Sequence, residues 1–204
     1  MIKGWYKYMR SIPVGISGRH VHVTKEHLEI LFGKDHELKV FKMLSQPGQY
    51  AAEEKVDVIS PDGKVLEGVR ILGPVRPASQ VELSQSDCIR FKFVAPVRSS
   101  GDVKGSGKCT LRGPVGSVEL AEGVIIADRH IHFSLEEAAE FGVSDREIVS
   151  IRIKGIKPGI LENVLCRVNA NFRLDCHLDT DDGAAFMLKT GDTCELVKKF
   201  VIVE

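Results

Sequence analysis

The hydrophobic pattern along the chain is mostly short and alternating. Residues 12–23 (IPVGISGRHVHV) are rich in β-branched side chains and predict a strand, and residues 38–44 predict another. From Val56 to Phe93 the runs VDVIS, KVLEGVRIL, SQVELS and IRFKFV read as strands, punctuated by the turn signals Pro61-Asp62-Gly63 and Gly73-Pro74. The second half continues in the same style with VEL, GVIIA, DREIVSIRI, ILENVLCRV, DCHLD and TCELVK. Helical spacing is confined to two places. Thr24 is a cap residue followed by Leu28, Leu31 and Phe32 on one face, with Gly33 near the end. Ser134 and Glu137 form an S-x-x-E capping box for a helix over 134–141, which Gly142 ends. Such a chain is mainly β, built as barrels or sandwiches, with little helix. Residues 99–108 (SSGDVKGSGK) read as its most flexible loop.

Composition narrows the classes. The 204 residues suffice for one large domain or two small ones, and 43% of them are hydrophobic. The formal net charge is zero, so bulk charge gives no argument for nucleic acid or membrane binding, and an anionic ligand must meet local basic residues. No apolar run approaches a membrane span. The opening segment lacks the continuous apolar stretch of a secretory signal. Trp5, Tyr6 and Met9 give it one sticky side, and residues 1–11 read as a frayed extension. The five cysteines are odd in number and widely spaced, which predicts reduced, core-packed thiols in a reducing compartment.

The chemistry sits in the histidines. Arg19-His20-Val21-His22-Val23-Thr24 is echoed by Arg129-His130-Ile131-His132-Phe133-Ser134, each a strand running into a capped helix. Residues i and i+2 share a strand face, so His20 points with His22, and His130 with His132. Two imidazoles on one face can bind one divalent ion, and His177 in DCHLD is a natural fifth ligand. A single H-x-H is more often a polar strand face, but two copies in matching contexts favour metal. His27 and His36 lack the pattern and read as ordinary residues. An alternative is a cupin, with His20, His22 and Glu26 on one ion; against it, Glu26 belongs to a capped helix start and no second cupin motif follows. A dinuclear hydrolase and a binding module with structural zinc are further alternatives.

Longer motifs carry a resemblance. SGRHVHVTKEHLEILFG, LSQPGQYAAEE, ILGPVRPASQVELSQSD, APVRSSGD, LRGPVGSVEL, GVIIADRHIHFS and CHLDTDD resemble the phosphate propanoyltransferases of the propanediol-utilisation (PduL) type, from about Ile12 to Leu196. The resemblance implies a phosphotransacylase that interconverts acyl-CoA plus phosphate with acyl phosphate plus CoA, the acyl group being propionyl or acetyl. It implies two β-barrel domains capped by short α-helices, with the site between them. Residues 12–45 plus 120–200 would form the first barrel, holding both H-x-H strands, and residues 46–119 the second. It further implies two divalent ions, with zinc the expected metal: one on His20, His22 and Glu82, the other on His130, His132 and His177. Arg76 corresponds to a phosphate-contacting catalytic arginine, and Ser17, Lys42, Arg70, Leu72 and His177 to CoA-binding positions. Read without the resemblance, Glu82 is an exposed strand carboxylate, Arg76 a turn residue, and Lys42 and Arg70 surface charges.

Two positions depart from the family pattern. Ala184 stands where an asparagine is usual, which removes an amide contact to CoA, and Gly18 stands where asparagine is also usual. The expected chemistry is direct attack on the thioester by phosphate bound to metal and Arg76, without an acyl-enzyme. The resemblance also implies a bacterial cytoplasmic or microcompartment-lumen location, with shell or lumen proteins as partners; the oligomeric state, a homo-oligomer included, stays open. The extension before the matched region is short for an independently stable targeting helix.

Overall fold

The computed structural model describes residues 10–197. Apart from Arg10 and Ser11, the expected N-terminal extension lies outside the described residues, Trp5, Tyr6 and Met9 included. The chain divides into a terminal unit, comprising residues up to Ser17 and from Arg129 onward, and a central unit, Gly18–Asp128. Each is a closed six-stranded β-barrel, and the described residues carry four short helices. No helix among the described residues is long and apolar enough to cross a membrane.

The chain begins in the terminal unit with β1 (Ser11–Ser17) and passes at Gly18 and Arg19 into β2 (His20–His22) of the central unit. The Thr24 hydroxyl accepts the His27 amide and starts α1 (Lys25–Phe32), whose Leu28 and Leu31 are buried. The exposed β3 (Val40–Met43) pairs with β4 (Tyr50–Ile59), which turns at Pro61-Asp62-Gly63 into β5 (Val65–Gly73). Then come β6 (Gln80–Leu83), α2 (Gln85–Phe91), β7 (Val97–Arg98), β8 (Gly107–Arg112) and the long β9 (Ser117–Ala127). Pairing runs β4–β5–β2–β6–β9–β8 and returns from β8 to β4. The alternating apolar residues point inward: Val21, Val56, Val58, Ile71, Val81, Leu111 and Val124 are all buried in one cluster. Two glycines are set by close approach. A Cβ at Gly73 would lie 2.3 Å from the Tyr50 ring, and one at Gly113 would lie 2.4 Å from the Leu31 carbonyl oxygen, where the end of α1 docks on the β8–β9 hairpin.

The terminal unit adds β10 (His130–Phe133), α3 (Leu135–Phe141), β11 (Ile148–Ile153), β12 (Gly159–Val168), β13 (Asp175–Asp179), α4 (Thr180–Ala185) and β14 (Thr193–Val197) to β1. The ring is β1–β13–β10–β12–β11–β14 around Ile12, Val14, Ile131, Phe133, Ile151, Val164, Cys176 and Leu178. The Ser134–Glu137 capping box is present, and Gly142 closes α3 in the left-handed conformation, as the sequence predicts.

The two rings repeat each other pair by pair. β2 is parallel to β5 and antiparallel to β6, as β10 is parallel to β12 and antiparallel to β13. β6 is parallel to β9 as β13 is parallel to β1. Arg19 forks onto Asp87 in the first turn of α2, with Nε to Oδ2 at 2.9 Å and Nη2 to Oδ1 at 2.7 Å; Arg129 meets Asp182 in the first turn of α4, with Nε to Oδ2 at 3.1 Å. The short motif echo thus extends to whole barrels.

Three expectations are corrected. The units divide at Ser17/Gly18 and Asp128/Arg129, not at 45/46 and 119/120. The first H-x-H strand is therefore in the central barrel and the second in the terminal one. The cause is hydrogen bonding: β2 is flanked by β5 and β6, β3 pairs with β4, and residues 120–127 continue a strand already paired with β6 and β8. IRFKFV is not a strand, because Ser84 accepts the Asp87 amide and nucleates α2, and its Ile89 is 70% exposed. The loop over 99–108 is tied down through Ser100 and Gly101, and β8 begins inside it.

Candidate active site

In the central unit β2 presents Val21 to the core and turns His20 and His22 to the opposite face. The antiparallel neighbour β6 places Glu82 directly opposite His20, and Gln80 opposite His22. His20, His22 and Glu82 are all buried and offer one ligand atom each within 4.8 Å of one another. The rings are already oriented. His20 Nδ1 donates to the Gly18 carbonyl at 3.0 Å and His22 Nδ1 to the Leu72 carbonyl at 3.1 Å, so both turn Nε2 away from the backbone. Glu82 Oε1 accepts from Gln80 Nε2 at 2.5 Å and from Ser100 Oγ at 2.7 Å, while Oε2 lies 3.4 Å from His20 Nε2.

Electrostatics favour a cation here. Burial opposes ionisation of Glu82, but the charge and hydrogen bond of His20, with the Ser100 bond, hold its carboxyl well below the usual range. Burial likewise opposes protonation of His20, yet Glu82 outweighs it and the imidazole titrates above its ordinary value. His22 is pushed down to about 3 by burial, then by His20 and Arg76. A neutral imidazole keeps the lone pair that an ion needs.

In the terminal unit the same construction gives His130, His132 and His177, again with ligand atoms within 4.8 Å of one another. β13 sets His177 opposite His130, and Asp175 opposite His132. Ring centroids are 4.7–5.1 Å apart. His132 Nδ1 is buried without a hydrogen-bond partner, as expected of a nitrogen reserved for an ion. Burial, then His130, His177 and Arg167, push His132 down to about 2. Phe172 packs on the His132 ring at 4.3 Å. Both donor sets fit a divalent ion such as zinc.

The other expected positions are placed as follows. Arg76, half-buried, follows β5; its amide donates to the Val23 carbonyl at 2.9 Å and its Nη1 to Ser100 Oγ at 3.3 Å, and its charge is felt by His20 and His22. Leu72 supplies the carbonyl that orients His22. Arg70 bonds the Ala52 carbonyl and lies over the Phe41 ring at 4.4 Å, and Lys42 is exposed on β3. Ser17 ends β1 opposite Asp179 in the terminal unit, and Ala184 is exposed on α4. Glu26 is exposed on α1, so Glu82, not the cupin-type glutamate, completes the first triad. His27 bonds Ser79 Oγ at 2.7 Å and His36 bonds Glu54 at 2.9 Å, both outside the triads. All five cysteines are buried thiols outside any disulfide.

Sequence reasoning missed Gln80, Ser100 and Asp175. Gln80 and Asp175 each stand two residues before a ligand and so share its strand face, a signal that period-two spacing carries. Ser100 reaches Glu82 from a loop, for which the sequence has no signal.

A phosphate propanoyltransferase family model matches residues 13–189. The phosphate propanoyltransferase of Thermotoga maritima is 45% identical over 95% of this chain and 93% of its own length. Those of Lachnoclostridium phytofermentans and Priestia megaterium are 44% and 45% identical, over 89% and 92% of this chain and 84% and 86% of their own lengths. With so long a match at this identity, the chain belongs to the phosphate propanoyltransferase family, transferases that act on acyl groups.

Proposed function

We propose that this chain interconverts acyl-CoA plus inorganic phosphate with acyl phosphate plus free CoA, the acyl group being propionyl or acetyl. The observation that supports it best is the pair of ligand triads on equivalent strand pairs, one of them beside Arg76. In this reading His20, His22 and Glu82 hold one divalent ion, and His130, His132 and His177 the other. Such ions, when bound, supply Lewis acidity that polarises oxygen and disperses negative charge. Arg76 binds phosphate: its planar guanidinium matches two phosphate oxygens, and Ser100 steadies the side chain. Stripped of water and held, one phosphate oxygen attacks the thioester carbonyl carbon. The C–S bond breaks, the electron pair leaves with the CoA sulfur, and the new bond joins the acyl carbon to a phosphate oxygen. Ser17, Lys42, Arg70, Leu72 and His177 contact CoA.

No acyl-enzyme is invoked. The thiol nearest a ligand in sequence, Cys176, faces the barrel core, and its hydrogen bond with Cys194 and its burial hold it well above the ordinary thiol value. The family resemblance extends the proposal to work in the bacterial cytoplasm or a microcompartment lumen, beside shell or lumen proteins.

The test is thiol release from propionyl-CoA and acetyl-CoA, with and without phosphate, before and after chelation. Release that needs both phosphate and metal is expected. Metal-dependent release without phosphate would replace the transfer by hydrolysis, and no release in either arm would overturn the reading.

A further inference from the structure

The two triads sit on equivalent strand pairs but differ by an exchange of roles. In the central unit the third ligand is the carboxylate Glu82, and the residue two positions before it is the amide Gln80; in the terminal unit the third ligand is the imidazole His177, and the residue two before it is the carboxylate Asp175. Both supporting residues are buried, Gln80 at 2% and Asp175 at 6% exposure, and both touch the ligand they precede. Gln80 Nε2 donates to Glu82 Oε1 at 2.5 Å, and His177 Nε2 lies 3.0 Å from Asp175 Oδ2. One site thus has an anionic ligand steadied by a donor. The other has a neutral ligand steadied by an anionic acceptor.

Each support decides which ligand atom is left over. Gln80 and Ser100 both bond Oε1 of Glu82, leaving Oε2, which is the oxygen facing His20. Asp175 accepts only hydrogen, so it requires the proton on Nε2 of His177 and leaves the lone pair on Nδ1. Gly15 on neighbouring β1 leaves room for the Asp175 carboxylate, since a Cβ there would lie 3.3 Å from Oδ2. His20 and His22 show the opposite choice, each donating Nδ1 to a carbonyl.

We propose that Asp175 is the positioning residue of the three-histidine site: it fixes the His177 ring so that Nδ1 is the ligand atom, and supplies the negative charge that an all-imidazole set lacks. Gln80 is its counterpart, presenting Oε2 of Glu82. The inference rests on the two-ion reading above and adds that the sites hold their ions by different supports. Loss of a group hydrogen-bonded behind a metal-bound histidine weakens ion binding by roughly 10–100-fold.

The experiment loads the metal-stripped full chain with zinc against a chromophoric chelator, and records imidazole nitrogen shifts of the zinc-loaded protein by NMR. Asp175→Asn should weaken one of two zinc equivalents by roughly 10–100-fold and leave the other within about twofold, and Asp175→Glu should restore most of the loss. In the unaltered protein His177 should carry its proton on Nε2 and its zinc-shifted signal on Nδ1. A zinc-shifted Nε2, or an Asp175→Asn protein whose two affinities are unchanged, would overturn the proposal while leaving two-ion binding intact. An unaltered protein that takes up no zinc would instead remove the two-ion reading itself.

Discussion

Glu82 Oε2 lies 3.4 Å from Nε2 of His20, its direct register partner across the antiparallel β2–β6 pair. In the ion-free protein this contact lifts the His20 titration above 6.5 against the opposing effect of burial. With Glu82→Gln the lifting charge is gone, while burial and Arg76 still act downward. The His20 midpoint should then fall below 6.5, followed by NMR of the imidazole protons. A midpoint that stays high would mean that another anion supports His20.

Stability of the ion-free protein should fall with acid in a defined window. Unfolded histidines take up protons near 6.5, whereas folded His22 and His132 resist down to about 3 and about 2. Below 6.5 the unfolded state therefore binds more protons. The contribution is complete above that pH and is lost as pH falls towards the folded values. Urea midpoints between neutral pH and the acid side should show a slope approaching about two protons per molecule from this pair. A flat profile would contradict the burial argument.

Arg76→Ala should lower kcat/KM for phosphate by roughly 10²-fold or more, with little change in the KM for the thioester. Arg76→Lys should recover only part, since a point charge lacks the fork. Initial rates against phosphate at saturating propionyl-CoA measure both. Equal losses in the two KM values would point to a collapsed site.

The Arg19–Asp87 fork joins the start of β2 to the first turn of α2. Arg19→Ala strands a carboxylate that is only 4% exposed and should cost roughly 1–3 kcal/mol in urea unfolding. Adding Asp87→Ala should return part of it, and a purely additive double variant would deny the coupling.

Gly113→Ala should destabilise the central barrel by roughly 1–3 kcal/mol, because the new methyl must move the α1 carboxyl end at Leu31. A thermal melt suffices, and an unchanged midpoint would show that the hairpin yields freely.

Much of this molecule was legible in sequence. The H-x-H pairs needed only the period of a strand, and the capped helices α1 and α3 announced themselves through Thr24 and through Ser134 with Glu137. Glu82 was not legible from its neighbours, because its partner His20 comes from a strand far away in number and only register brings them together. α2 was misread because IRFKF alternates, while a single hydroxyl at Ser84 and the charge pair with Arg19 hold it as a helix. The unit boundary, drawn from the family resemblance, could not be checked against the sequence, because apolar alternation says that a strand exists, not which strand it will pair with.

The passage from β1 to β2 at Gly18 and Arg19 bears on the order of events during synthesis. Every strand of the central ring has been made once Asp128 leaves the ribosome, so that barrel can close around its triad while translation continues. The terminal ring waits with its first strand, β1, already made and its last, β14, made only near the end of the chain. One ligand triad is thus a product of residues 18–128, complete early. The other belongs to a ring whose first strand, β1, must wait for β10 to β14.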